Sequence, residues 1–414
     1  MPEFLHLLPP GDAFARLLQS LSPRPVPEEV ESSAALGRVT FSPVVALQPL
    51  PAFPRSTVDG YAVMAADTHG ASESLPAYLK VAGEVPMGAA PSFTLFPGLC
   101  ALIHTGGMLP DGANAVVMVE HTQNVRTDEV ELLRAAAVGE NVLKVGEDVA
   151  VGQEVIPAGT RLRPAEIGGL MALGITRLPV ARRPCVGIIS SGDEVVPPES
   201  IPEPGQVRDV NAFSLSALVE EAGGLPVRYG IIPDRAEAIL QAAQNALAEC
   251  ELVIITAGSS ASSRDLTAQV INELGAPGVL VHGVNVRPGK PTILAVCNGK
   301  PVIGLPGNPV SALVIASLFV APLVEALLGL HRTRPQPSLP ARMSLNLPSQ
   351  AGREDWVPVR LIPETRPGPV AYLAEPVFGK SNLIFSLARA DGLVRIAPDA
   401  TGLSAGEIVE VRLF

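Results

Sequence analysis

Arg287-Pro288-Gly289-Lys290-Pro291, a short apolar run, and then Gly304-Leu305-Pro306-Gly307-Asn308-Pro309-Val310-Ser311-Ala312 form one connected passage of the chain. Proline and glycine stiffen a first turn that carries two cations. A Gly/Asn/Pro turn follows and launches a long apolar segment. Asn308 suits a helix N-cap and Pro309 the first helical position, where a missing N–H costs nothing. A helix N-terminus beside Arg287 and Lys290 is an anion site, with phosphate the natural occupant. The alternative is two ordinary turns between buried strands. The segment 310–330 is apolar over a membrane-spanning length. It contains Pro322 and Glu325 and follows directly on the turn, so it reads as a helix buried against a sheet.

Outward from this passage, residues 184–330 alternate strand and helix. The run 185–190 is continuously apolar, as parallel strands are. Asn211 suits the cap of a helix whose Leu215, Leu218, Val219 and Ala222 fall at i, i+3, i+4 and i+7. A strand at 227–232 follows, then a helix capped by Asp234, a strand at 252–256, a helix at 265–274, and strands at 279–286, 292–297 and 301–305. This is the pattern of a doubly wound α/β domain, whose ligands bind beyond the carboxyl ends of the strands.

Upstream, a helix is expected at 11–21, a Pro-rich stretch next, and a second short helix at 27–36. Residues 45–145 are β-like, with strands at 78–85, 99–104, 115–119 and 130–133. A helix at 164–173 ends at Gly174, a suitable C-cap residue, and 178–183 reads as a linker. Downstream of 331 the helical pattern stops, and short strands imply a small β-barrel or sandwich.

The whole is α/β plus β, an elongated multidomain chain. Residues 1–44 and 146–180 form a linker domain, 45–145 an inserted β-rich domain, 181–330 the α/β domain and 331–414 a C-terminal β-barrel. With 414 residues, about three domains would be expected on length alone.

Composition narrows the function. A net charge of -11 with no basic stripe argues against nucleic acid, and 4% aromatic residues with one Trp leave no stacking platform for single strands. Cys100, Cys185, Cys250 and Cys297 are far apart, form no C-x-x-C pair, and read as buried thiols of a reducing, cytoplasmic compartment. No basic region followed by an apolar run opens the chain, so neither a signal peptide nor a membrane partner is expected. The six histidines show no metal-ligand spacing.

Four loops carry the chemistry: Ser190-Ser191-Gly192-Asp193-Glu194, Arg208-Asp209-Val210-Asn211, residues 258–265 with Gly258, Ser260 and Asp265, and the opening passage. Each brings an acid or a base to one sheet edge. Carboxylates beside phosphates make sense with a divalent cation between them, and magnesium fits best. Glu194, Asp209 and Asp265 are the candidate metal ligands, and Arg287 and Lys290 the oxyanion binders. Asp209 and Asp265 have a plainer reading as helix caps.

Taken together, Ser56-Thr57-Val58-Asp59-Gly60-Tyr61-Ala62, Thr105-Gly106-Gly107, Gly146-Glu147-Asp148, Ser191-Gly192-Asp193-Glu194, Asp209-Val210-Asn211, and the two motifs quoted first resemble the molybdopterin molybdenumtransferases over essentially the full length. These are bacterial molybdenum-insertion enzymes related to the C-terminal part of gephyrin. The resemblance implies an elongated homodimer whose active site is shared between subunits. It implies a reaction of adenylylated molybdopterin and molybdate to molybdenum cofactor and AMP, assisted by Mg2+. Asp59, Asp148, Glu194, Asp209, Asp265, Arg287 and Lys290 would be catalytic. Thr105, Gly192, Asn211, Gly258, Ser260, Pro306, Gly307, Asn308, Pro309 and Ser381 would bind the pterin substrate. Molybdopterin adenylyltransferase and cofactor-accepting enzymes would be partners. Departures from the family pattern are serines in place of glycines at 259–263, Arg264 before Asp265, Arg287 where Lys is common, and Val210 in place of a hydroxyl residue. The rival readings are an adenylyltransferase, which shares the α/β domain, and a scaffold that keeps the fold without catalysis.

Overall fold

The computed structural model describes residues 7–126, 128–257, 261–331, 336–364 and 368–414, with the backbone alone at 257 and 261–265. The α/β region begins at β1 (Cys185–Ser191) and continues through α1 (Asn211–Ala222), β2 (Leu225–Ile232), α2 (Ala236–Glu249), β3 (Leu252–Ala257) and α3 (Ala261–Glu273). Strands β4 (Pro277–His282), β5 (Ile293–Cys297) and β6 (Lys300–Pro306) follow. The sheet order is β2-β1-β3-β6-β5-β4. The first four strands are parallel, and β5 and β4 form antiparallel pairs at the far edge. The doubly wound expectation therefore holds, with an antiparallel edge added.

Period-two alternation splits the strands between two cores. Ile188, Ile254 and Ile303 face α1 and the last helix, while Ile189, Val253, Ile255 and Val302 face α2 and α3. The last helix, α4 (Pro309–Leu327), is long and apolar enough to cross a membrane. It lies inside the protein, however, with Phe319, Val320, Leu323 and Val324 fully buried. Burying one such side chain stabilises by about 1.5–3 kcal/mol, which is why an apolar stripe of this length can be used as core. A π-helical turn at Ala316–Val320 interrupts it.

Two expectations from sequence are corrected by the pairing of strands. Pro27–Glu31 is a strand and not a helix, because it pairs antiparallel with Arg177–Ala181. That partner is the segment read as a linker at 178–183. Around this pair, Ala35, Ile156, Leu162, Leu170, Leu178 and Val180 form one core, so the chain before residue 45 and after 145 packs together. Between them lies a six-stranded sheet, ordered Ala115–Met118, Gly60–Val63, Leu99–Ile103, Ala77–Glu84, Glu129–Leu132 and Thr122–Arg126.

The C-terminal strands Glu354–Pro363, Tyr372–Pro376, Ser338–Met343, Ile408–Leu413 and Gly392–Ile396 close into a five-stranded barrel. Val286–Arg287 adds to it in parallel, setting Arg287 against Asp355. This graft ties the first of the two opening motifs to the barrel and creates the cleft between the two regions.

Candidate active site

Two cavities adjoin at the carboxyl edge of the sheet. The first, of about 350 Å³, lies beyond β1, β3 and β6, and its walls include Ser191, Glu194, Asp209, Asn211, Thr256 and Asn308. The second, of about 1080 Å³, opens between the α/β region and the barrel, with Arg287, Lys290, Arg353, Lys380, Trp356 and Ser381 among its walls. They meet where Pro309 and Asn382 face one cavity and Val310, Ser311 and Ser381 the other.

In the sheet-edge cavity most polar groups are already engaged. Asp209 accepts hydrogen bonds from Ser190 Oγ (2.8 Å) and from the backbone N–H of Ala212 (3.0 Å). It is therefore the cap of α1, the role that the sequence suggests for Asn211. Asn211 instead donates from Nδ2 to the Gly307 carbonyl at 2.8 Å, which fixes the turn after β6 against α1. Its Oδ1 is buried without a partner among the described residues. Leaving a buried polar atom unpaired costs about 1–3 kcal/mol, so this acceptor points to a ligand donor.

Asp234 is the second corrected cap. The helix after it begins at Ala236 with no side-chain cap. Asp234 instead lies close to Ser191, and burial raises its pKa; the Ser191 hydroxyl opposes the shift, and the Asp193 and Glu194 charges add to it. The hydroxyl is near, yet neither Ser191 Oγ nor Asp234 Oδ1 completes a hydrogen bond among the described residues. Gly192 keeps this corner open: a Cβ there would stand 2.9 Å from Glu194 Oε2.

The metal reading can be tested on these donors. Among the described residues no group of three or more His, Cys, Asp or Glu side chains could hold a metal ion. Both Asp209 oxygens are engaged, and the Asp265 side chain lies outside the described residues, as do Gly258 and Ser260. Glu194 lines the cavity with its carboxylate unengaged among the described residues. One carboxylate suits magnesium only when substrate phosphates and water supply most of the ligands, a mode that ion commonly adopts.

The second cavity keeps its cations available. Gly289, at φ +108°, lets the Arg287–Lys290 turn lie on α4, leaving no room for a Cβ against the Ile315 side chain. Arg287 is 63% exposed and 3.7 Å from Asp355, a loose pair. Arg353 is held to Asp355 at 2.9 Å, and Ser349 Oγ donates to the same carboxylate at 2.8 Å. Asn308 is the N-cap of α4, without a side-chain cap bond, and Pro309 stands at its first position. The free N–H expected there at Val310 donates to the Ser381 carbonyl (3.0 Å), tying the barrel to the helix start.

Of the residues singled out from sequence, Glu194, Asp209, Asn211, Gly307, Asn308 and Pro309 line the first cavity, and Arg287, Lys290 and Ser381 the second. Pro306 ends β6 behind them. Asp59 and Thr105 come together elsewhere, in the β-rich region: Thr105 donates to Asp59 Oδ1 from its N–H (2.7 Å) and its hydroxyl (3.2 Å). These bonds, the backbone one first, and the nearby His104 lower the Asp59 pKa. Asp148 is exposed, its N–H bonded to the Leu50 carbonyl. None of the three lines either of these two cavities. Sequence reading quoted Ser191 only within its motif and missed it as an individual site residue, and it missed Asp234 and the barrel's Arg353, Trp356 and Lys380 as site residues.

An α/β domain with its crevice at the strand carboxyl ends, joined to a five-stranded barrel and a β-rich insertion, defines a multidomain α/β-plus-β architecture. Residues 8–174 match the "MoeA N-terminal region (domain I and II)", 187–326 the "Probable molybdopterin binding domain" and 340–414 the "MoeA C-terminal region (domain IV)". The chain is 36% identical over 333 residues to the molybdopterin molybdenumtransferase of Nostoc sp., covering 80% of this chain and 76% of that protein. It is 34% identical over 392 residues to molybdopterin molybdenumtransferase 2 of Mycobacterium tuberculosis, covering 93% and 94%. A molybdopterin biosynthesis moeA protein from Pyrococcus horikoshii superposes with a TM-score of 0.85 at 31% identity, covering 99% of this chain and all of that one. The chain belongs to the MoeA family.

Proposed function

We propose that this protein is a transferase of molybdenum cofactor biosynthesis that inserts molybdenum from molybdate into adenylylated molybdopterin, releasing AMP with magnesium assisting. The observation that carries the reading is the adjoining of two unlike cavities. One offers an unpaired buried acceptor at Asn211 Oδ1, the Ser191 hydroxyl and the Glu194 carboxylate. The other offers Arg287, Lys290 and Lys380. A pterin presents N–H donors to an acceptor such as Asn211 Oδ1, and its phosphates suit a hydroxyl donor and a helix start. A tetrahedral dianion suits the guanidinium and ammonium groups across the shared wall. Holding both reactants across one wall replaces a bimolecular encounter with a positioned one. Magnesium, when bound, would supply charge neutralisation at the phosphates, with Glu194 holding it.

Asp59, Thr105 and Asp148 stand outside both cavities of their own chain. A homodimer that turns them toward the partner's cavities accounts for their place in the family motifs. The same reading makes a molybdopterin adenylyltransferase the supplier of substrate and cofactor-accepting enzymes the recipients. It sets the work in the cytoplasm, in keeping with four unpaired thiols. The named relatives are molybdenumtransferases, which favours insertion over adenylylation.

The test incubates purified protein with adenylylated molybdopterin, magnesium and molybdate. AMP release that depends on molybdate is the expected outcome. Incorporation of AMP from ATP into molybdopterin, without molybdate-dependent release, would sink the reading.

A further inference from the structure

The larger cavity holds more than a tetrahedral oxyanion needs. Its roughly 1080 Å³ slightly exceeds the range that takes a whole small-molecule ligand, about 300–1,000 Å³. Arg287, Lys290 and Lys380 give its walls positive charge, while Pro358, Val377 and Phe378 give them apolar surface. Phe378 is 68% exposed, a large apolar ring left in water at the cavity's edge. Its backbone is held on both flanks: the Val377 N–H donates to the Pro358 carbonyl at 2.8 Å, and the Ser381 carbonyl accepts from Val310 at 3.0 Å. Gly379, between ring and cation, packs so closely that a Cβ would stand 2.9 Å from Ser386 Cβ. The loop thus presents an aromatic face and, two residues on, the Lys380 ammonium from an anchored backbone.

We propose that Phe378 is a specificity-determining residue that stacks a planar nitrogen heterocycle whose attached phosphate lies among Arg287, Lys290 and Lys380. An aromatic ring beside cations matches such a ligand at both ends, because heterocycle stacking is tolerant of ring identity while the cations fix the phosphate. The inference deepens the insertion reading and rests on it for the nature of the ligand. The shared chemistry, a ring joined to phosphate, is present in both a nucleotide and a phosphorylated pterin.

The experiment measures binding and not turnover. AMP, a phosphorylated pterin, ribose 5-phosphate and inorganic phosphate are titrated calorimetrically into the full-length protein and into Phe378→Ala and Phe378→Trp. The expected result is that a ring-bearing ligand binds the unmodified protein about tenfold more tightly than ribose 5-phosphate. Phe378→Ala abolishes that advantage and leaves the ring-free ligands unchanged, and Phe378→Trp retains it. A loss confined to AMP assigns the ring as adenine, and one confined to the pterin assigns it as pterin. Equal binding of ring-bearing and ring-free ligands, or a loss in Phe378→Ala common to all four, overturns the proposal. Normal molybdate-dependent AMP release without ring selectivity sinks this inference alone. Ring selectivity without turnover sinks the insertion reading alone.

Discussion

The two cavities use their polar groups in opposite ways. At the sheet edge, Asp209 is engaged on both oxygens and Asn211 is engaged through Nδ2, so the wall is rigid and only selected atoms remain for a ligand. Between the α/β region and the barrel, Arg287 is exposed and loosely paired, and no ion pair engages Lys290 or Lys380 among the described residues. The first cavity suits a ligand read by shape and hydrogen bonds. The second suits one read by charge. Positioning and charge neutralisation are thus built from different residues, and substitutions can separate them.

The largest effect is expected at Asp209. Asp209→Ala removes the α1 cap and leaves Ser190 Oγ without its acceptor, for a loss of about 2–3 kcal/mol in urea unfolding. Glu194→Ala, in the same wall but exposed and unengaged, is expected to change stability by less than about 0.5 kcal/mol while impairing turnover. Equal destabilisation by the two would erase the distinction between scaffold and ligand-facing carboxylates. Next comes Gly289→Ala, which forces a Cβ onto Ile315 at a backbone angle of +108°. About 1–3 kcal/mol of destabilisation is expected, with weaker anion binding as the turn lifts from α4. Undiminished molybdate binding would show that the turn's seat on the helix is irrelevant.

Much of this fold was legible because local pattern and burial agree. The strands read at 185–190 and 252–256 stood out as core from their short apolar runs, and α4 read as buried from Pro322 and Glu325 within it. Pro27–Glu31 did not, because its partner lies some 150 residues away and a strand made by remote pairing leaves no local periodicity. The site was legible as loops but not as atoms. Ser190-Ser191 looks like a pair of equivalent hydroxyls, yet Asp209 engages one and leaves the other without a completed bond. Asp209 and Asn211 were both plausible caps, and only the Gly307 carbonyl decides between them. Phe378 and Arg353 carry no motif; the barrel's closure brings them to the cavity.

Smaller effects follow from the carboxylates that titrate in opposite directions. Asp234 has a raised pKa, so its stabilising contribution is complete below the ordinary value of 3.8 and is lost as pH rises through the folded value. Asp234→Asn is therefore expected to raise the thermal midpoint slightly at pH 7, with the two proteins converging in acid. Asp59 has a lowered pKa, so its contribution is present above 3.8 and lost as pH falls through the folded value. Asp59→Asn is expected to lower the midpoint at pH 7, by a small amount because the carboxylate is exposed. Thermal melts from about pH 3 to pH 8, in steps of about one unit across both ordinary values, check the two signs. Shifts of the same sign would contradict the environments described.

The most direct test of the division between the cavities is a crossed pair of KM values in molybdate-dependent AMP release. Lys290→Ala is expected to raise KM for molybdate at least about tenfold, as loss of a charge-assisted contact of about 1.5–3 kcal/mol requires, with a smaller rise in KM for adenylylated molybdopterin, whose phosphate shares these cations with it. Asn211→Leu, nearly isosteric but without the Oδ1 acceptor and without the Nδ2 bond to the Gly307 carbonyl, is expected to do the reverse. If both variants raised both constants alike, the two cavities would be one site, and the division between charge and shape would be wrong.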